Sequence, residues 1–490
     1  MSIPFPQREV VAQLCRLTGA APLETHISAV FIGRDRVLKL KKAVSLGFLD
    51  FTLLAARERF CRRELELNAA AAPGLYRAVL PVVRRAGGLV LGGAPDEGEV
   101  VDWVVEMAPV PSGDFLDAVA RRGGLDDALQ DALGDAVAAL HAALPPVAGW
   151  DSPGRMAAVL DGNVAAARAA GLPPERVAAW EAAARTELAR RAPALAARAA
   201  AGAVRRCHGD LHLGNLLLWR GRPAAFDALE FDEVLATIDT GYDLAFLLMD
   251  LGFRLGAGAA NRVLNRYVAR RGDAGLVAGL PFWISMRAMI RAHVQAAAGG
   301  GRLGEGLGLL DLAQAALRPA PGGILAIGGL PGSGKSHLAR RVAPDLGAMP
   351  GALMLRSDEI RKRRHGVAPE VRLPPGAYAP EVSAAVHDEL FAAAETAARA
   401  GHAVIADAAF LDPALRAGIA AAAARAGVPF RGIWLEAPLP VLRARVAARR
   451  GDASDADLAV LERAARRDPG PLDWTRVAAG DGEVVLPPLF

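Results

Sequence analysis

The chain has 490 residues, is 52% hydrophobic and 22% charged, and carries a formal charge of +4 at neutral pH. At ~150 residues per domain such a length predicts about three structural units, and a balance this mild decides little about partners. No Lys/Arg cluster is interleaved with aromatics, which argues against a nucleic-acid platform. Cys15, Cys61 and Cys207 lie far apart without a C-x-x-C pair, so neither a disulfide framework nor a zinc site is implied. The opening MSIPFPQREVV has no basic segment leading into an apolar one. The most apolar stretch, LAFLLMDLGF, is too short to span a bilayer and carries Asp250, so no membrane association and a reducing cytoplasm are expected.

Residues 7–19 predict a short amphipathic helix. LETHISAVFIGRDRVLKLKKA then alternates as a β-meander, with a turn at Gly33–Asp35. Lys39 and Lys41 fall on one face of the strand VLKLKK. A solvated edge lysine reads the same way, so this segment alone does not decide between a solvated and a functional role. A helix over about 51–71 carries Glu58, Glu64 and Glu66, and DWVVEMAPVP (102–111) predicts a strand running into a Pro-rich hinge. From Phe115 the chain turns helical. His141, near a helix end, reads as a core or capping histidine, and residues 155–205 form Ala- and Arg-rich helix that names no substrate.

The most informative stretch is HGDLHLGNLLLWRGRPAAFDALEFD, His208 to Asp232. It predicts a loop, a short strand, a turn at Arg220–Pro223 and a second strand ending in Asp227. Folding that hairpin brings Asp210, Asn215 and Asp227 to one end: a general base, a neutral oxygen ligand and an anionic one. Phosphoryl transfer with Mg²⁺ needs such a set, because the chemistry is mostly positioning and charge neutralisation. ATIDTGYDLAFLLMDL follows, with Asp239 and Asp243 ahead of an apolar helix.

RPAPGG (318–323) is a Pro/Gly linker. ILAIGGLPGSGKSHLARRVA then predicts an apolar strand, a Gly-rich loop and an amphipathic helix. Gly329, Gly334, Lys335 and Ser336 satisfy G-x-x-x-x-G-K-S, with Leu330, Pro331, Gly332 and Ser333 inside the loop and His337 next in the helix. In that pattern backbone N–H groups cradle phosphates at a helix N-terminus, the lysine reaches the β- and γ-phosphates and the serine ligates Mg²⁺. LMLRSDEIRKR ends a strand at Ser357 and Asp358, with Arg361 one helical turn on, and AGHAVIADAAF is a buried strand ending at Asp407, a candidate to hold Mg²⁺ through water. The hhhhDE form of a motor ATPase is absent, which argues against mechanical work. Arg445, Arg449 and Arg450 surround a polar turn near the end of the chain.

These residues resemble known families. HGD in place of HRD, Asn215 five residues after Asp210, and FDA in place of DFG are similar to the aminoglycoside phosphotransferase and choline kinase branch of the kinase fold. The resemblance implies a phosphate-holding strand lysine, Lys39 first with Lys41 as the spare, and a helix partner, Glu64 ahead of Glu58 and Glu66. It also implies adenine contacts near Glu106–Ala108, an Asp243 brace on the catalytic loop and a bracing His208. ETHISAVFIG stands where protein kinases carry G-x-G-x-x-G, which leaves the phosphate-covering loop open. The second half resembles shikimate, gluconate and polynucleotide kinases, implying that Asp358 orients or deprotonates the acceptor hydroxyl. Arg445, Arg449 and Arg450 resemble the lid of nucleoside-monophosphate-type kinases.

The order ETHIS, VLKLKKA, SLGFLDF, HGDLHLGN, FDALEFDE, DLAFLLMDL, GLPGSGKS, RSDEIRKR, DASDAD is similar over nearly the full chain to bifunctional aminoglycoside phosphotransferase/ATP-binding proteins. The expected fold is a two-domain one. An α+β kinase-like fold spans 1–317 (N-lobe to about 108, C-lobe from about 109), and an α/β P-loop NTPase fold with a parallel sheet spans 324–490. ATP, Mg²⁺ and small-molecule acceptors are implied. Three alternatives stay open: one domain is a regulatory nucleotide-binding module gating the other, the second is a zeta-toxin-like nucleotide-sugar kinase, or the second is a nucleic-acid end kinase.

Overall fold

The computed structural model describes residues 3–46, 49–93, 96 and 98–479. Gly47 and Phe48 of the SLGFLDF stretch, and residues 480–490 of the expected second domain, lie outside them. Its contacts divide the chain into two units, Met1–Ala132 with Arg205–Ile238, and Leu133–Val204 with Asp239–Phe490.

The first unit opens with α1 (Arg8–Thr18), then β1 (Leu23–Glu24), β2 (Ser28–Ile32), β3 (Val37–Lys41), β4 (Ser45–Leu46) and β5 (Leu49–Asp50). Next come α2 (Leu54–Ala69), β6 (Tyr76–Arg85), β7 (Gly88–Leu91), β8 (Glu99–Met107) and α3 (Leu116–Arg121). Six strands pair antiparallel in the order β1-β2-β3-β8-β6-β7. Strand alternation splits the core in two. Leu38 and Leu40 of β3 join Val10, Leu14, Phe31 and Val104 beside α1. On the opposite face Trp103, Val105 and Met107 of β8 join Cys61 of α2, Leu75 and Tyr76. Lys39 and Lys41, one position out of phase with Leu38 and Leu40, therefore face α2.

α4 (Asp127–Ala143) carries the chain out of the first unit, and α5 (Ser152–Ala169) and α6 (Pro174–Ala200) follow. The chain re-enters through β9 (Val204–Arg206), and the hairpin β10 (Leu216–Trp219) and β11 (Arg222–Ala225) pairs antiparallel with Leu216 opposite Ala225. α7 (Glu233–Ala236) and β12 (Thr237–Asp239) lead out again.

The second unit continues with α8 (Thr240–Leu255), α9 (Ala257–Arg271), α10 (Leu280–Ala298) and α11 (Leu303–Ala316). α8 is buried over twelve consecutive residues, Thr240 to Leu251, which explains its near-continuous apolar sequence. Then β13 (Ile324–Gly329), α12 (Lys335–Val342), β14 (Leu353–Arg356), α13 (Ser357–Arg364), α14 (Pro380–Arg399), β15 (Val404–Asp407) and α15 (Pro413–Ala426) alternate. β16 (Phe430–Glu436), α16 (Leu439–Ala448), α17 (Leu458–Ala465) and β17 (Thr475–Ala478) are the last described elements. The five strands are all parallel, in the order β14-β15-β13-β16-β17. The expected P-loop architecture is thus present, with the kinase-like region ahead of it.

β14 is an edge strand, yet its polar backbone is not left open. The Asn265 side-chain oxygen of α9 accepts from the Met354 N–H at 2.6 Å, and the amides of Asn261 and Asn265 donate to the Ala352 carbonyl at 3.0 and 3.2 Å. Two asparagines stand in for a missing strand and block edge pairing. Asn265→Ala leaves the buried Met354 N–H unsatisfied, at about 1–3 kcal/mol, and leaves the Ala352 carbonyl with Asn261 as its one remaining side-chain donor. The expected outcome is a loss of about 2–3 kcal/mol in the second unit's stability, read from the urea midpoint.

Candidate active sites

In the first unit the polar cluster is built on β3, α2 and the hairpin. Asn215 donates through Nδ2 to the Asp210 carbonyl at 3.0 Å and to Asp210 Oδ2 at 2.8 Å. This orients the carboxylate and leaves the Asn215 oxygen free to act as a ligand. The Phe226 N–H donates to the Asn215 carbonyl at 3.1 Å, which closes the hairpin and sets Asp227 beside the pair. The side chains of Asp210 and Asp227 are each 40% exposed. Asp227 has φ 59°, a left-handed conformation rare for a residue with a side chain. Its N–H is held by the Tyr76 hydroxyl at 3.1 Å, and the next N–H, of Ala228, by Asn68 Oδ1 at 3.0 Å.

His208 Nε2 lies 2.9 Å from the Phe226 carbonyl, and His208 Nδ1 accepts from the Asp210 N–H at 3.3 Å. That pairing selects the neutral Nε2–H tautomer and makes His208 a brace between the two arms.

Of the three glutamates on α2, only Glu64 meets the lysines. Glu58 pairs with Arg62, and Glu66 with Arg63. Glu64 Oε1 accepts from Lys39 at 2.7 Å and Glu64 Oε2 from Lys41 at 2.7 Å. Lys39 also donates to Asp227 Oδ1 at 2.5 Å, and Lys41 to Glu230 Oε1. Lys41 and Glu64 are fully buried. Burial favours the neutral acid, but the two lysines outweigh it and pull the Glu64 carboxyl down to about 2. Burial likewise works against the Lys39 ammonium, and Asp227 and Glu64 hold its pKa well above the usual lysine value. Burial pushes the Glu230 carboxyl up despite Lys41. Lys41 is therefore more than a spare: it fills the second half of the same carboxylate.

The expected adenine segment has one donor already engaged, since the Ala108 N–H donates to the Leu75 carbonyl at 2.8 Å. In the second unit Asp243 Oδ2 lies 3.1 Å from His141 Nε2, and His141 Nδ1 lies 2.9 Å from the Tyr267 hydroxyl. His141 is a buried core residue, in line with its reading from sequence. Asp239 caps α8 through the Gly241 N–H at 2.8 Å and pairs with Arg198 through both oxygens.

The other cluster belongs to the second unit, around a cleft of about 1000 Å³ at the C-terminal ends of the parallel strands. The Gly-rich loop needs glycine where the chain turns. Gly329 has φ 140° and a Cβ there would lie 2.6 Å from the Leu435 carbonyl oxygen; Gly332 has φ 83° and a Cβ would lie 2.8 Å from that of Leu442. Lys335 opens α12 and folds back to donate to the carbonyls of Gly329 and Leu330 at 2.9 and 3.0 Å. Burial lowers its pKa, although Asp407 and Asp358 pull it the other way. The Ser336 hydroxyl donates to Asp407 Oδ2 at 2.5 Å, so the two oxygens expected at Mg²⁺ are already adjacent. Their hard oxygen chemistry fits Mg²⁺.

Pro331, Gly332, Gly334, Lys335, Ser336 and His337 line the cleft, as do Asp358, Asp407, Arg445 and Arg449. Among its described lining residues Gly329, Leu330 and Ser333 do not appear; Ser333 is buried. Burial, with Asp407 nearby, holds the Asp358 carboxyl above its usual range even though Arg356 pulls it down. Arg445 donates to the Ala479 carbonyl at 3.1 Å, and Arg449 Nε lies 3.8 Å from Asp452 Oδ2.

Sequence reasoning passed over Arg356, the last residue of β14. It is 3% exposed and donates to Asp407 Oδ2 at 3.2 Å, Ser336 Oγ at 3.0 Å, Glu359 Oε1 at 2.7 Å and Asp452 Oδ1 at 2.8 Å. Its signal was there to find: an arginine closing the apolar run LML, immediately before Ser357–Asp358. Glu230, Asn68 and Tyr76 were missed because each is ordinary in its own segment.

The sequence pattern of the phosphotransferase enzyme family matches residues 57–278, and that of an AAA domain matches 324–469. Uncharacterised proteins of Mycobacterium tuberculosis and Mycobacterium bovis are each 30% identical over 476 residues, 92% of this chain and 90% of theirs. Among solved structures, a choline/ethanolamine kinase family protein from Mesorhizobium loti is 17% identical with a TM-score of 0.38, covering 64% of this chain and 99% of its own. A glucosamine kinase is 20% identical with a TM-score of 0.37, covering 61% and 77%. Among the described residues no helix is long and apolar enough to cross a membrane.

Lys41→Met removes one partner of a buried ion network and strands Glu230. The expected cost is about 3–5 kcal/mol in the first unit's stability, read by chemical denaturation. Acid unfolding tests Glu64. Its carboxyl titrates near 4.5 when unfolded and about 2 when folded, so its stabilisation is complete above about pH 4.5 and is lost as pH falls toward 2. Glu64→Gln is expected to remove that part of the slope.

Proposed function

The chain belongs to the family that joins a phosphotransferase enzyme domain to a P-loop AAA-type domain, and we propose that it is an ATP-dependent tandem phosphotransferase acting on hydroxyl groups of small molecules. The kinase-like part is assigned to residues 1–317 and the P-loop part to 324–490, with 318–323 as the linker. In the first, Asp210 is the general base, Asn215 and Asp227 ligate Mg²⁺, and Lys39, braced by Glu64, holds the phosphates. In the second, Lys335 leaves its carbonyl partners for the β- and γ-phosphates. The loop from Gly329 to Gly334, with His337 beyond it, cradles them; Ser336 and Asp407 hold Mg²⁺; Asp358 takes the acceptor proton; Arg445 and Arg449 meet the transferring phosphate. The observation that carries this reading is the pairing of Asn215 with Asp210 at one hairpin end, where the Phe226 N–H, next to Asp227, closes onto the Asn215 carbonyl. ATP turnover, with no helix among the described residues long and apolar enough to cross a membrane, fits a cytoplasmic location.

One observation favours a second reading for the first domain. Lys39 sits directly on Asp227 at 2.5 Å, and a nucleotide with its Mg²⁺ has to draw that lysine away. With no Gly-rich loop before Lys39, the domain then serves as a nucleotide-responsive module gating the P-loop domain.

Phosphate transfer to sugars, aminoglycosides, nucleosides and sugar acids separates the two, with wild type, Asp210→Ala and Lys335→Ala measured side by side. Under the tandem reading each substitution removes a different activity, Asp210→Ala by about 10²–10⁴-fold and Lys335→Ala on the order of 10²–10³-fold. If Asp210→Ala leaves all turnover intact, the first domain is the gating module. The P-loop activity is also pH-dependent. A base must be ionised, and a raised pKa means Asp358 takes up its proton before an ordinary aspartate as pH falls. Activity in an Asp210→Ala chain is therefore expected to fall on acidification from a pH above the ordinary 3.8 of aspartate, and a pH–rate profile locates that limb.

A further inference from the structure

A single oxygen in the wall of the P-loop cleft carries three hydrogen bonds. Asp455 Oδ2 accepts from Lys362 Nζ at 2.6 Å, from the Leu373 N–H at 2.9 Å and from the Tyr378 hydroxyl at 2.6 Å. Lys362 lies on α13, is 1% exposed, and also donates to the Val371 carbonyl at 2.5 Å. Leu373 and Tyr378 sit in the loop between α13 and α14, and the Tyr378 ring lies under the Arg361 guanidinium at 4.7 Å. Asp455 comes from elsewhere, the irregular segment 449–457 between α16 and α17. Three residues earlier on that segment, Asp452 accepts from Arg356, the cation that also donates to Ser336 and Asp407.

We propose that Asp455 is a positioning residue that locks segment 449–457 and loop 371–378 together as one lid over the cleft. Asp452 ties that lid to the phosphate and Mg²⁺ end, Asp455 ties it to the opposite wall, and Arg449 travels with both. The role in transfer rests on the P-loop reading above; the mechanical coupling does not. The physical basis is charge. Lys362 is buried, and without Asp455 its ammonium keeps only the neutral Val371 carbonyl, so both segments lean on one cation; the exposed Arg372–Asp457 pair that also joins them is worth little beside it. A flexible polar segment with a single anchor would move independently of the loop it touches. Held at Asp452 and Asp455, this one is bound to report the state of one end of the cleft to the other.

The test uses the full chain carrying Asp210→Ala, so that only P-loop turnover is read, with Asp455→Asn and Tyr378→Phe added in turn. Amide hydrogen exchange is followed over 449–457 and 371–378, MgADP binding by calorimetry with the P-loop site identified as the one lost on Lys335→Ala, and MgATP hydrolysis with water as acceptor. Loss of a charge-assisted bond is expected to speed exchange about tenfold or more in both segments together. The kcat for hydrolysis should fall about tenfold while the MgADP Kd stays within about twofold, because the Gly-rich loop is untouched. Tyr378→Phe, which removes one donor from a partly exposed ring, should give the same pattern at smaller size and decides the matter if Asp455→Asn does not fold. Faster exchange in only one of the two segments, or none in either, overturns the coupling. Coupled exchange with unchanged kcat overturns its role in transfer. Failure of the parent to bind MgADP refutes the kinase reading and leaves the exchange result to judge the latch.

Discussion

The first unit depends on one buried carboxylate shared by two ammonium groups. Glu64 lies at the centre of α2 with both oxygens engaged, one by each lysine of β3. An isolated buried charge costs several kcal/mol, more than the burial of a leucine returns. The arrangement persists only if β3, α2 and the loop after β11 are all in place at once. That requirement ties three elements far apart in sequence, because the lysines continue outward to Asp227 and Glu230. The strained backbone at Asp227 is held by the same assembly, with Tyr76 and Asn68 gripping the two N–H groups that follow the bend.

The second unit solves a similar problem with the opposite sign at the centre. Arg356 is a buried cation surrounded by Asp407, Glu359 and Asp452, and its guanidinium places donors in several directions at fixed angles. It holds Ser336 and Asp407 next to each other before any ligand arrives. In both units, polar groups suited to phosphate and metal chemistry are held in place by a buried charged neighbour.

The sheet of the second unit also shows how a helical region and an α/β region share a boundary. α9 offers two asparagines, one turn apart, to the buried, otherwise unpaired edge backbone at Ala352 and at Met354 of β14. Side-chain amides carry the same donor and acceptor as a peptide group, so a helix can terminate a sheet edge without a further strand. The consequence is that β14, which delivers Arg356 and then Asp358 to the cleft, is fixed from the helical side.

Much of this was legible in the chain itself. Lys39 and Lys41 on one face, the Asp210–Asn215 spacing, the hairpin turn and the strand–loop–helix around Lys335 are all local patterns. Their geometry follows from strand periodicity, turn chemistry and the backbone freedom of glycine at Gly329 and Gly332. Tertiary structure decided the rest: that Glu64 rather than Glu58 or Glu66 meets the lysines, that Lys41 reaches Glu230, that Arg356 gathers the Mg²⁺-ligand candidates and that Asp455 bridges two loops. Those partners are separated by tens to nearly two hundred residues. No periodicity links them; a salt bridge of that span exists only once the sheets and helices between its ends have packed.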